Sequence, residues 1–226
     1  MLRRPVAKRS TATGLATPLY DFPAPSPSPS PRPSPRPAFD SQISTTSGWI
    51  RIDDREVLVS TPWVCIVMGS DSDAEVMSRA ADALDELEVP FHMLVTSAHR
   101  SPERTKRIIE DGEADGADVF IAGAGAAAHL PGVVASFTTR PVIGVPLQAG
   151  SLQGFDALLA IAQMPAGVPV ATVAIGPSGA TNAGILAAQI LAVGDPGLAE
   201  RIRLKRKGMA EAVESKSKRV ERSTRK

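Results

Sequence analysis

The chain has 226 residues, 43% of them hydrophobic and 4% aromatic, with 25 basic against 24 acidic side chains. That length suits one large domain or two small ones, and a net charge of +1 gives no global case for a nucleic-acid or membrane partner. The single cysteine, Cys65, excludes a disulfide framework and a cysteine-based metal cluster and points to a reducing, cytoplasmic setting.

Residues 1–60 differ in composition from the rest. Nine prolines fall between Pro18 and Pro37, alternating with Ser and Arg from Ser26 onward. Proline has no amide to donate, so this extension is predicted to be disordered or polyproline II. Arg3, Arg4, Lys8 and Arg9, with no acidic residue among the first twenty, also fit an organelle transit peptide, the alternative to a solvated tail.

From residue 61 to 195 short apolar runs alternate with amphipathic segments. The runs are 64–68, 91–95, 119–122, 142–145 and 170–175, each ending near Gly, Ser or Pro. Continuous apolar runs of this length suit strands buried on both faces, as in a parallel sheet. With so few rings, the core has to be built from Ala, Val, Ile and Leu. Helices are predicted at 74–87, where Val76, Ala80, Ala83, Leu84 and Leu87 share a face, and at 102–110, with Ser101 as N-cap and Pro102 in the first helical position. Others follow at 155–161 and 182–191, with a shorter turn near 130–136. The alternation implies an open α/β sheet with right-handed crossovers and about five strands. After Asp195-Pro196-Gly197, residues 198 to about 220 form a basic helix with Leu198, Ile202 and Met209 on its leading face. That pattern describes either a solvated helix or one that leaves its domain to pack on a neighbouring subunit. No apolar run approaches the roughly 20 residues that span a bilayer.

In open α/β sheets ligands bind beyond the carboxyl ends of the strands, so the loops there carry the functional argument. After the first strand comes Gly69-Ser70-Asp71-Ser72-Asp73, at the start of a helix. Amides and serine hydroxyls suit phosphoryl oxygens, and a carboxylate suits sugar hydroxyls, so a ribose phosphate fits better than a bare phosphate. The same residues also suit a plain cap, with Ser72 or Asp73 capping residue 74 onward. After the second strand, Ser97-Ala98-His99-Arg100-Ser101-Pro102 sets an imidazole beside a guanidinium. Histidine can carry a proton either way near neutrality, and arginine offers a rigid fork for phosphate or carboxylate. After the third strand, Gly123-Ala124-Gly125-Ala126-Ala127-Ala128 carries almost no side chain before His129-Leu130-Pro131-Gly132. Such a loop lets a ligand ring lie against backbone amides, or it is a close-packed turn. His92 lies within a strand and receives no role. Two loop histidines thirty residues apart, without a carboxylate at ligand spacing, make a poor metal site.

Together these loops resemble the 5-(carboxyamino)imidazole ribonucleotide mutase family, the bacterial-type catalytic subunit of phosphoribosylaminoimidazole carboxylase. The stretches Gln163-Met164-Pro165, 167–172 and 182–191 agree in the same order, and the resemblance covers residues 62–215. It implies a flavodoxin-like three-layer domain, a homo-octamer, and no metal or organic cofactor. It also implies an isomerase of de novo purine biosynthesis that moves a carboxylate from the exocyclic amine to the imidazole ring carbon. Its expected associates are a small ribonucleotide substrate and the ATP-dependent synthetase that makes it. By the same resemblance His99 is the general acid/base, and Ser70, Asp73 and Arg100 hold the ribose phosphate. Gly69, Ser97, Ala98, Gly123, Ala124, Gly125 and His129 line the rest of the substrate site.

Two departures stand out. Ala126 replaces a usual glycine, and Ala149 follows Gln148 where a serine is usual, which removes or moves a hydroxyl. Other readings of the same chain are a carboxylase using free carbon dioxide, a nucleotide- or flavin-holding module without chemistry, and nucleic-acid binding by the basic C-terminal helix. Flavin is disfavoured because no Trp or Tyr lies in the loops; Ser-Ala-His-Arg favours the mutase over the carboxylase.

Overall fold

The computed structural model describes residues 48–52, 55–59 and 62–224, with side chains from residue 62 to residue 221. The Pro-rich run and the transit-peptide reading fall outside these residues. Strands β1 (Gly48–Ile52) and β2 (Arg55–Val59) form an antiparallel hairpin, pairing Gly48 with Val59 and Ile52 with Arg55. This corrects part of the expectation for 1–60: both segments are rich in β-branched and apolar residues, and two aspartates separate them.

The main sheet contains β3 (Trp63–Met68), β4 (Phe91–Val95), β5 (Ala117–Gly125), β6 (Val142–Leu147) and β7 (Ala171–Thr172). All neighbours are parallel, in the order β4-β3-β5-β6-β7. Counted from β3, this is the flavodoxin-like order 2-1-3-4-5, whose topological switch lies between β3 and β5. The helices are α1 (Ala74–Asp85), α2 (Pro102–Ala114), α3 (Leu130–Ala135), α4 (Phe155–Ala162), α5 (Pro177–Leu191) and α6 (Pro196–Thr224).

Strand side chains alternate between two cores, as the pleat requires. Val64, Ile66 and Met68 pack with Met77 and Leu84 of α1 and Ala183 of α5, joined by Leu198 and Ile202 from α6. Cys65, Val67 and Phe120 pack on the other face with Ile109 of α2, Leu130 and Val134 of α3, and Ile161 of α4. Burial pushes the Cys65 thiol up to about 12, so it remains an inert part of that core.

Two boundaries differ from expectation for physical reasons. The run at 170–175 supplies only two ladder residues, since β7 is an edge strand preceded by Pro169. Helix α5 begins five residues before position 182, at Pro177, and its first turns show no apolar periodicity because they are built from small residues. Gly179 is required there, since a Cβ on it would lie 1.6 Å from the Ala174 carbonyl oxygen.

Helix α6 is capped by Asp195, whose Oδ1 accepts from the Gly197 and Leu198 amides at 2.9 and 3.0 Å. Arg201 Nε donates to the Leu87 carbonyl at 2.8 Å, and Lys205 pairs with Glu86. Beyond these anchors Met209, Val213 and Val220 are exposed. No helix among the described residues is long and apolar enough to cross a membrane.

Candidate functional site

A cleft of about 420 Å³ opens at the carboxyl edge of the sheet, over the switch between β3 and β5. Its walls come from three loops: Gly69 and Asp73 after β3, Ser97 to Arg100 after β4, and Ala124 to Leu130 at the end of β5. Ala149, from the loop after β6, also lines it. Of the residues singled out in the sequence, Gly69, Asp73, Ser97, Ala98, His99, Arg100, Ala124, Gly125 and His129 line this cleft. Ser70 is not among the residues lining the cleft, although its neighbour Gly69 is. Gly123 does not line it: a Cβ there would meet Met77 Sδ at 2.4 Å, so this residue faces α1 and its smallness serves the core. Ala126, Ala127 and Ala128, from the small-residue loop marked in the sequence, line the cleft too, as does Ala149; Leu130 also lines it, and its type carries no chemical signal.

The first loop is a cap as well as a wall. A 3-10 turn, Asp71–Asp73, precedes α1; Ser70 caps that turn with its side chain, while Asp73 holds the N-cap position of α1, as expected, but makes no side-chain capping bond there. Ser70 Oγ accepts from the Ser72 amide at 3.3 Å, while Asp73 Oδ2 accepts from the Ser70 amide at 3.1 Å. The extra turn moves the side-chain cap back from Ser72 or Asp73 to Ser70, and the Asp73 side chain lines the cleft. Partial burial raises the Asp73 pKa above its usual range, the Ser70 amide opposes the shift, and the Asp71 charge adds to it.

The second loop is held from behind. The Thr96 amide donates to the Met68 carbonyl at 2.8 Å, extending the β3–β4 ladder. Thr96 and Thr105 are the buried polar side chains among the described residues, and their hydroxyls are 2.9 Å apart. Thr105 Oγ1 donates to the Ser101 carbonyl at 3.2 Å, which leaves Thr96 to donate to Thr105. Thus a directed pair of hydroxyls fastens the loop bearing His99 to the start of α2. Nothing in a one-dimensional reading marks this pair, which lies nine residues apart.

His99 Nε2 and His129 Nδ1 are 2.8 Å apart, with the rings edge to face at 82°. A hydrogen bond at that distance needs one nitrogen to carry the proton and the other to accept it, so the pair shares a single proton along this axis. Residues thirty positions apart meet because β4 and β5 flank β3. Arg100 Nη2 donates to the Gly69 carbonyl at 3.1 Å, bridging the second loop to the first.

The third loop is strained. Ala126 and Ala128 have φ of 53° and 46°, a left-handed conformation that favours glycine. Glycine would adopt this conformation at position 126 without that penalty, and this chain holds alanine there against it.

A family model described as AIR carboxylase matches residues 63–212. The N5-carboxyaminoimidazole ribonucleotide mutase of Bacillus subtilis is 53% identical over 152 residues, covering 67% of this chain and 94% of the relative. The mutase of Pyrococcus horikoshii is 51% identical over 160 residues, covering 71% and 89%. Among solved structures, Treponema denticola PurE is 29% identical with a TM-score of 0.63, covering 70% of this chain and 98% of that one.

Proposed function

The chain belongs to the AIR carboxylase family, and on that premise we propose that it converts 5-(carboxyamino)imidazole ribonucleotide to 4-carboxy-5-aminoimidazole ribonucleotide in purine biosynthesis. The observation that carries the reading is the histidine pair among small lining residues in the switch cleft. His99 acts first as acid: it protonates the exocyclic nitrogen as the carbamate C–N bond breaks and carbon dioxide leaves. The ring carbon of the resulting aminoimidazole then attacks carbon dioxide, forming the new C–C bond. His99, now the base, removes the proton from that ring carbon and returns to its starting state. Atoms balance within one substrate molecule, so the reaction draws on no second reactant.

The cleft's chemistry supports each step. Carbon dioxide must be kept from water between the two halves, and the walls of Ala98, Ala124, Ala126 to Ala128 and Ala149 are apolar and small. His129 hydrogen-bonds the nitrogen that would do the work, Nε2 of His99, and a substrate atom can take its place there. A positioned acid/base contributes about 10²–10⁴-fold. Ser70, Asp73 and Arg100 hold the ribose and its phosphate, with Gly69 and Gly125 alongside.

The finer assignments are a homo-octamer, a cytoplasmic location and a working partnership with the ATP-dependent synthetase that supplies the carbamate. Two features support assembly. Between residues 141 and 194 Asp156 is the only charged residue, and this stretch exposes Leu152, Phe155 and Leu159; among the described residues Asp156 Oδ1 is buried without a hydrogen-bond partner. Residues 62–198 carry 15 acidic and 6 basic side chains, whereas 199–226 carry 11 basic and 4 acidic. That polarity favours α6 reaching the acidic domain of a neighbouring subunit. Light scattering should return the mass of eight chains, and a monomer would refute the assembly.

The function is tested by following ring-carboxylated product from the carbamate substrate, with and without bicarbonate, for wild type and His99→Asn. Turnover independent of bicarbonate and lost in His99→Asn is expected. Activity only with aminoimidazole ribonucleotide plus bicarbonate would reassign the chain to the carboxylase.

A further inference from the structure

We infer that Ser97 is a positioning residue: it holds the Arg100 guanidinium ready for the substrate phosphate rather than binding substrate as its main task. The inference rests on the ribonucleotide reading above. Ser97 Oγ accepts from the Arg100 backbone amide at 3.2 Å and from Arg100 Nε at 3.4 Å. The same guanidinium donates through Nη2 to the Gly69 carbonyl at 3.1 Å. Two fixed points on a planar group define its orientation. Of its five N–H donors, two are thereby used, and three remain for a ligand.

Ser97 is itself tied down. Its amide donates to Ser101 Oγ at 3.3 Å, and its carbonyl accepts from the Ser101 amide at 2.9 Å and from Ser101 Oγ at 3.1 Å. Ser101 in turn is held by the buried Thr105 hydroxyl. A chain of hydroxyl contacts therefore runs from the buried Thr96–Thr105 pair through Ser101 and Ser97 to the guanidinium. Both lone-pair positions of Ser97 Oγ are taken by Arg100, so its acceptor capacity is committed before a ligand arrives and only its O–H is left to donate. A free arginine side chain carries large rotamer entropy, and a phosphate clamp binds best when that entropy has been removed in advance.

The test measures binding of the stable product, 4-carboxy-5-aminoimidazole ribonucleotide, and of its dephosphorylated riboside, by calorimetry. Ser97→Ala is expected to weaken binding of the ribonucleotide by about tenfold, the scale of one charge-assisted hydrogen bond, with little change in kcat. Ser97→Thr, which keeps the hydroxyl, should restore it. Riboside binding should be the same in wild type and Ser97→Ala, and Ser97→Ala should add nothing in an Arg100→Met background. Equal weakening for riboside and ribonucleotide, or additive effects with Arg100→Met, would overturn the inference in favour of direct contact. A crystal structure of Ser97→Ala decides it independently of ligand: the guanidinium should leave the Gly69 carbonyl, and finding it still there refutes the positioning role. Failure of wild type to bind the ribonucleotide would instead refute the functional reading, while the Arg100 position would still decide this one.

Discussion

Replacing Thr105 by valine tests the buried hydroxyl pair behind the His99 loop. The two side chains differ little in volume, so the change removes a hydroxyl without opening a cavity. Thr105 is fully buried and Thr96 is 2% exposed, so water cannot take the place of the lost partner. After Thr105→Val the Thr96 hydroxyl has no acceptor, whereas the Ser101 carbonyl still accepts from the residue 105 amide at 3.0 Å. One orphaned buried hydroxyl costs about 1–3 kcal/mol. Thr96→Val should cost less, under about 1 kcal/mol, because Thr105 keeps its own acceptor. The double variant leaves no orphan and should be more stable than Thr105→Val alone. Thermal unfolding at fixed protein concentration reads this directly, since about 2–4 °C accompanies each kcal/mol for a domain of this size. A double variant less stable than Thr105→Val, with the two costs simply adding, refutes the pairing. Amide exchange over residues 97–101 should quicken in Thr105→Val and slow again in the double variant.

Ala126→Gly relieves a left-handed alanine worth about 1–2 kcal/mol and loses about 0.4–1 kcal/mol through the freer unfolded chain. A modest rise in urea midpoint at unchanged m is expected; a fall would show that the loop is not strained. Gly184→Ala places a Cβ 2.5 Å from the Ala80 carbonyl oxygen, where α1 and α5 touch. Separating them should cost about 1–3 kcal/mol, seen as a lower melting temperature, and an unchanged one would contradict the close approach. Asp73 has its folded pKa raised, first by burial, so its ionised form is worse off folded than unfolded. The penalty is absent below the unfolded pKa, develops as pH rises through the folded one, and persists at neutrality. Asp73→Asn should therefore melt higher than wild type at pH 7 while losing substrate affinity, with the stability gain vanishing near pH 3. A gain that grew toward low pH would reverse the sign of this argument.

Five parallel strands, most of the helices and the loops at the strand ends are legible from local chemistry. Apolar runs too continuous for a solvated face, Ser101-Pro102 before a helix, and Gly-Ser-Asp at a helix start each report on a few neighbouring residues. His99 and Arg100 could be proposed because an imidazole and a guanidinium stand side by side in a loop at a strand end, where open α/β sheets bind ligands. What failed was equally local in appearance. The small residues of α5 hid its first turns, the segments 48–52 and 55–59 looked like the end of a tail, and Gly123 resembled its cleft neighbours.

Only the tertiary structure decided which loops share a cleft. Strand order is set by how whole faces bury against helices, so nothing near residue 99 encodes that β4 and β5 flank β3 and bring His129 within 2.8 Å. Strand parity explains Gly123: alternate residues of β5 face opposite layers, and this one meets Met77. The Thr96–Thr105 pair has the same origin, because a threonine becomes a positioning group only when its surroundings exclude water and supply a single partner. Residue type determined the chemistry this chain can perform; the packing of its two cores determined which side chains stand close enough to perform it together.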